Sequence, residues 1–322
     1  MKQYLRAASL LFNQPLLTTP DMLDLAVRWA NQTMSLNITN VGNEASGNPH
    51  LMFDDDDDGH RADRADEQRR KAVAETGIDI IPVSGVLVSR GSHLAPCETM
   101  TSYEQLRSSI NGAINDPLVE HIVLDIDSPG GSAVGAFELA ADIRAASLIK
   151  PITGLVNFMA YSGGYLLAAA CTDVVVSQTS GVGSIGVIAS HMERSKMAAE
   201  MGIKVTTVFA GDHKNDLSPH EPISEQSLQV LNELVQESYE LFTTRVAEYR
   251  SLDVAAVIAT QAACYRGPQA IAVGLADRLE APQQHVDNLA RALRASRQQR
   301  SAERTRQRIG VQAAAIALAA RL

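Results

Sequence analysis

From Ile78 onward the chain alternates short apolar runs with helical patterns, and this alternation is what most restricts the folds open to it. The runs Ile78–Val88 (IDIIPVSGVLV), His121–Ile126 (HIVLDI), Ile152–Phe158 (ITGLVNF), Asp173–Val176 (DVVV) and Lys204–Phe209 (KVTTVF) read as strands. Helical patterns fall near 102–115, 135–148, 162–171, 190–201 and 224–250. Strands that are near-continuous in Val and Ile are buried on both faces, so the fold expected is α/β, largely parallel and covered by helices. An aromatic content of 4% suits such Ala- and Val-rich packing.

The flanks read differently. Met22, Leu25, Ala26 and Trp29 recur at helical spacing behind Pro20 and Asp21, which predicts a helical segment within 1–40. Residues 41–77 are polar and contain the run Asp54–Asp58, as a linker would. Asp54, Asp56, Asp58 and Gly59 imitate the first half of an EF-hand loop, but Ala65 stands where the bidentate Glu belongs, so no metal is expected there. The α/β domain should span 78–282. Beyond it, residues 285–308 carry seven arginines on a helix-favouring background, which predicts an Arg-rich helical tail over 283–322.

Charge and cysteine usage exclude several classes. A formal net charge of −9 argues against nucleic-acid binding, which needs clustered cations. Cys97, Cys171 and Cys264 are far apart and form no CxxC pattern, as in a reducing compartment. No stretch approaches the roughly 20 apolar residues of a membrane span. A soluble cytoplasmic protein is therefore expected, without a membrane anchor and without a cofactor.

Three glycine-rich segments could carry chemistry. Asp125–Gly131 (DIDSPGG) closes a buried strand with a turn that leaves backbone N–H groups free, as an oxyanion site needs, although an ordinary strand-to-helix turn would look the same. Ser162 opens an Ala- and Leu-rich helix within MAYSGGY; it could be a helix cap or a nucleophile with the Gly163 N–H beside it. Ala160 stands where an α/β-hydrolase elbow needs Gly, which disfavours that fold. Gly181–Gly186 (GVGSIG) fits GxGxxG literally. Ser177–Ser180 separate it from the preceding strand, however, and Val187 and Ile188 continue it as an extended run, so a dinucleotide site is disfavoured. Ser147–Lys150 matches SxxK without its companion motifs, and no histidine pair has metal-binding spacing.

A serine hydroxyl needs a base. His213 and Lys214 stand together in AGDHKND, and the residues alone leave both open. For a lysine to serve near neutral pH its pKa must fall from about 10.4 by roughly 2 to 3 units, which burial can supply.

In this order DIDSPGG, AYSGGYLLAAA, GSIGV and AGDHKND resemble the signal peptide peptidase A (S49) family of serine peptidases over roughly 78–282. That resemblance implies a ClpP/crotonase-like fold with repeated β-β-α units and a Ser/Lys dyad. Ser162 would be the nucleophile, Lys214 the base and Ser184 the hydroxyl that orients the lysine. Gly163 and Gly131, with Gly130 beside them, would supply the oxyanion hole. The start LLFNQPLLTTPDMLDLA, the acidic DDDG linker and the lack of an anchor are similar to the head-maturation proteases of lambda-like phages. Those relatives imply protein substrates, namely scaffold, portal and the protease itself, cut inside the procapsid. They also imply a homo-oligomer, and an extended peptide with small side chains at the cleaved position. The chain closes about 40 residues past the domain, so no scaffold function is expected of it. The alternatives are a cellular peptidase of the same family, a crotonase-like acyl-CoA enzyme, and a non-catalytic assembly component.

Overall fold

A computed structural model describes residues 13–20, 22, 67–90 and 100–319. The acidic run, Cys97 and most of the expected N-terminal helix lie outside these residues. The described elements are β1 Leu16–Thr18, α1 over 67–76, β2 Ile78–Val88, β3 Met100–Ser102, α2 Tyr103–Asn115, β4 His121–Ser132, α3 Ala136–Ser147, β5 Ile152–Tyr161, α4 Gly163–Ala169, β6 Asp173–Val176, β7 Gly181–Gly183, α5 Ser195–Glu200, α6 Glu225–Arg250, α7 Val254–Ala259, β8 Cys264–Arg266, α8 Pro268–Ala272, β9 Arg278–Leu279 and α9 Pro282–Ala319.

The sheet runs β3-β2-β4-β5-β6-β9, every neighbouring pair parallel, so this is a mixed α/β fold on a mainly parallel sheet. Alternation along β4 explains the layering. Ile122, Leu124 and Ile126 face the main core, with Leu106 and Ile110 of α2, Leu139 and Ile143 of α3, and Phe242 of α6. Val123 points the other way and joins Leu155 of β5 and Val175 of β6 beneath Ala290 of α9. Helix α4 is buried all round (Gly163 to Ala169), which its Gly-Gly-Tyr-Leu-Leu-Ala-Ala sequence allows because no residue in it is charged.

The expected tail is therefore partly a structural layer. Val286, Leu289 and Leu293 of α9 pack on the second face of the sheet, and three of its arginines are anchored: Arg294 to Glu75 (3.0 Å), Arg297 to Glu120 (2.5 Å) and Arg300 to Glu120 (2.5 Å). The expected linker also carries structure where it is described. In α1 Val73 is buried, and Arg69 grips Asp79 of β2 with two hydrogen bonds. Leu16–Thr18, within the segment expected to be helical, is a strand instead.

One strand expectation fails outright. Residues 203–209 form no strand and are exposed throughout, with Val208 at 92%. Their β-like alternation meets no sheet edge, and a strand without a partner leaves its backbone to water. The helix expected over 190–201 shrinks to α5.

Candidate active site

The glycine-rich segments converge at the C-terminal ends of β4, β5 and β7, where open parallel sheets place their sites. Ser162 follows directly on β5, and its N–H donates to the Gly183 carbonyl at the end of β7 (2.8 Å). Its backbone stands at φ 51°, ψ −117°, a conformation costly for any residue with a Cβ. Gly267 opens α8 with almost the same angles, φ 46°, ψ −122°. The same turn is thus made once with glycine and once with serine, so at 162 a side chain is retained against steric cost. That side chain does not cap its helix. It makes no capping hydrogen bond, and its Oγ instead donates, at 3.4 Å, to the Gly186 carbonyl.

The turn of β4 lies against this serine. Gly130 has φ 102°, and a Cβ placed on it would come within 2.9 Å of the Gly163 amide nitrogen and 1.9 Å of the Leu17 carbonyl oxygen. The Gly131 amide nitrogen lies 3.5 Å from where a Cβ on Gly163 would stand. Two backbone amides therefore border one niche. Ser128 shapes the turn: its Oγ donates to the Gly85 carbonyl (2.7 Å) and accepts from the Gly130 N–H (3.1 Å). Ser184 comes immediately after Gly183, at φ 54° and nearly buried, and its N–H donates to the Ala263 carbonyl (3.0 Å).

Ser162, Gly163, Gly130, Gly131 and Ser184 are thus brought together. Lys214 is not. It lies in an exposed turn, its N–H donating to Gly211 O (3.0 Å), and among the described residues no hydrogen bond or ion pair is made by its ammonium. His213 faces Asp216 (2.7 Å), and that hydrogen bond is the first of several that hold the Asp216 carboxyl below the usual carboxylate range.

Sequence reasoning missed two neighbours of this site. Cys264 stands opposite Gly183 in the β7–β8 pairing, next to Ser184; burial pushes its thiol up, while Arg266 and Ser184 pull the other way. Only the pairing of β8 with β7 reveals that contact, because 80 residues separate the two. Asp125 and Asp127 lie on the same strand face as Val123, and burial raises both carboxyls; the Asn157 amide opposes this at Asp125, and the charge of Asp125 adds to it at Asp127. The second neighbour is β1.

Residues 144–296 match the sequence profile of Peptidase family S49. The S49 segment runs from the end of α3 into α9 and so contains Ser162, Ser184 and Lys214. The chain is 35% identical to capsid assembly protease C of Escherichia phage lambda over 280 residues, 84% of this chain and 62% of that protein. It is 37% identical to head-tail preconnector protein GP5 of Enterobacteria phage P21 over 217 residues, 67% of this chain and 43% of that protein. Serine protease SPPA, chloroplastic, of Arabidopsis thaliana is 27% identical over 184 residues, 57% of this chain and 26% of that protein. The chain spans about three fifths of the first relative's length and less than half of the second's. No described helix is long and apolar enough to cross a membrane.

Proposed function

We propose that this protein is a serine endopeptidase in which Ser162 attacks the peptide carbonyl and Lys214 takes the hydroxyl proton. The observation that carries this reading is the backbone of Ser162, held where glycine would be easier, with its hydroxyl released from capping and two backbone amides beside it.

In the reaction the Ser162 Oγ forms a bond to the carbonyl carbon and its proton passes to the neutral amine of Lys214. The carbonyl oxygen, now negative, accepts from the Gly163 and Gly131 N–H groups. Lys214 then returns the proton to the leaving amine as the peptide bond breaks. Water, activated by the same amine, releases the acyl group and restores the serine. Ser184 positions the lysine. An ammonium in water holds its proton at neutral pH, so Lys214 must be carried out of solvent onto the serine. Exposed Val208 and Phe209, a few residues before Lys214, give a second copy of the chain an apolar surface to cover, which would desolvate the same stretch in a homo-oligomer.

The names of the two phage relatives support a procapsid role, in which scaffold, portal and the protease itself are cut inside the shell within the host cytoplasm. Incubating the parent, Ser162→Ala and Lys214→Ala with a fluorogenic peptide at millimolar concentration tests the dyad. Hydrolysis by the parent alone is expected, and retained turnover in either variant would refute it.

A further inference from the structure

Ser162 has no solvent-exposed surface, and Gly130, Gly131 and Gly163 are buried with it. A substrate cannot reach a sealed hydroxyl, so part of the seal must be removable. The element over the niche is β1, more than 100 residues upstream of the serine.

β5 leaves the edge of β4 after Ser128, and β1 takes its place there, pairing antiparallel as Thr18↔Gly130, Leu17↔Gly131 and Leu16↔Ser132. Its other edge exchanges both hydrogen bonds with Ile188: Leu16 N–H to Ile188 O at 2.8 Å and Ile188 N–H to Leu16 O at 3.1 Å. A three-residue strand held by main-chain bonds on both edges is how an extended peptide adds to a sheet. The side chains of Leu16 and Leu17 are buried. The Leu17 carbonyl oxygen lies in the amide niche, 3.3 Å from where a Cβ on Gly163 would stand and 1.9 Å from one on Gly130.

Asn13 extends the contact. Its N–H donates to Ser190 O (3.0 Å), its Nδ2 donates to Leu217 O (3.2 Å), and its Oδ1 pairs with His191 Nδ1 (3.0 Å). The segment that closes the serine is thereby tied to both ends of the stretch that carries Lys214.

We infer that residues 13–18 occupy the peptide-binding groove in cis as a substrate-like strand. The groove lies between Gly130–Ser132 and Ile188–Ser190 and takes an extended apolar segment of Pro-Leu-Leu-Thr character, with Leu at the carbonyl that enters the niche. β1 must leave before a substrate strand can enter. This rests on the peptidase reading of the site given above.

The test uses the full chain and a fluorescein-labelled peptide of residues 13–22, with binding read by anisotropy in a Ser162→Ala background. Leu17→Lys, which cannot keep its side chain buried in β1, should bind the peptide at least about tenfold tighter than the parent, because the internal competitor is weakened. Leu16→Cys/Ile188→Cys joins a hydrogen-bonded pair whose Cα separation, about 5.5 Å, suits a disulfide. Its oxidised form should lose peptide binding and regain it on reduction, which keeps the inference testable if Leu17→Lys does not fold. Equal binding in oxidised and reduced forms, or no binding in any form, overturns the inference. The same variants with Ser162 restored are assayed for cleavage of the peptide. Binding that follows the lock without any Ser162-dependent cleavage upholds the groove and sinks the peptidase reading instead.

Discussion

Ser162 is enclosed on every side, whereas Lys214, 52 residues further along, stands in water on an exposed stretch. The serine is fixed by three strand ends, a buried helix and a strained backbone. The lysine is fixed by one turn. If the proposed dyad is right, the two groups are specified by different means: the nucleophile by packing within the chain, the base by a movement or a partner that would bring it out of solvent. Nucleophile and oxyanion donors gain from rigid preorganisation, and a lysine base gains from desolvation that comes only with closure.

The sharpest way to break this comparison is to remove each group in turn. Ser162→Ala and Lys214→Ala should each lower peptide hydrolysis by roughly a thousandfold or more. Lys214→Ala should leave unfolding in urea within about 0.5 kcal/mol of the parent, because that side chain is exposed. A Lys214→Ala variant that is strongly destabilised would mean that the exposed stretch is not the loose half.

The next largest effect is on the rigid half alone. Gly130→Ala would force a Cβ into backbone at a positive φ and should cost about 3 kcal/mol in urea unfolding, with activity lost alongside. Gly211→Ala, at φ 96° but with nothing within 4 Å of its Cβ, should cost only about 1 kcal/mol.

Acid separates the halves by another route. Burial lowers the His121 pKa from 6.5 to about 4, so the folded state holds a neutral ring that the unfolded chain would protonate. Its contribution is complete above about pH 6.5 and is lost as pH falls through about 4, which amounts to about 2 kcal/mol of stability gone by pH 5. His121→Phe should flatten that slope in urea melts at pH 7 and pH 5. An unchanged slope would place the acid sensitivity elsewhere.

The smallest effect is the most diagnostic. Ser162→Gly should raise stability by about 1 kcal/mol relative to Ser162→Ala, since glycine accepts at 162 the angles it already adopts at 267. Equal melting temperatures for the two variants would remove the case for strain at the serine.

The legible parts of the fold were those in which a buried face leaves a mark on the residues themselves. β2 and β6 have the bounds that their apolar runs give, and the core faces of α2, α3 and α6 follow from helical spacing. Lys204–Phe209 carries the same mark, yet no sheet edge lies beside it; pattern reports the need for burial and not its fulfilment. β1, β7 and β8 were illegible because three residues cannot show a period. At the site, Ser162 and the glycines stood out because their motifs are local. The contact of Cys264 with Ser184 and the place of Leu17 depend on pairings between distant parts of the chain, which a linear reading does not contain.

A segment on the same chain competes for the groove at roughly millimolar effective concentration, while a peptide added at micromolar levels is about a thousandfold more dilute. An assay in dilute solution would then find the protein almost silent with its machinery intact. Inside a crowded compartment, where chains meet at millimolar density, the same groove would exchange its own strand for another.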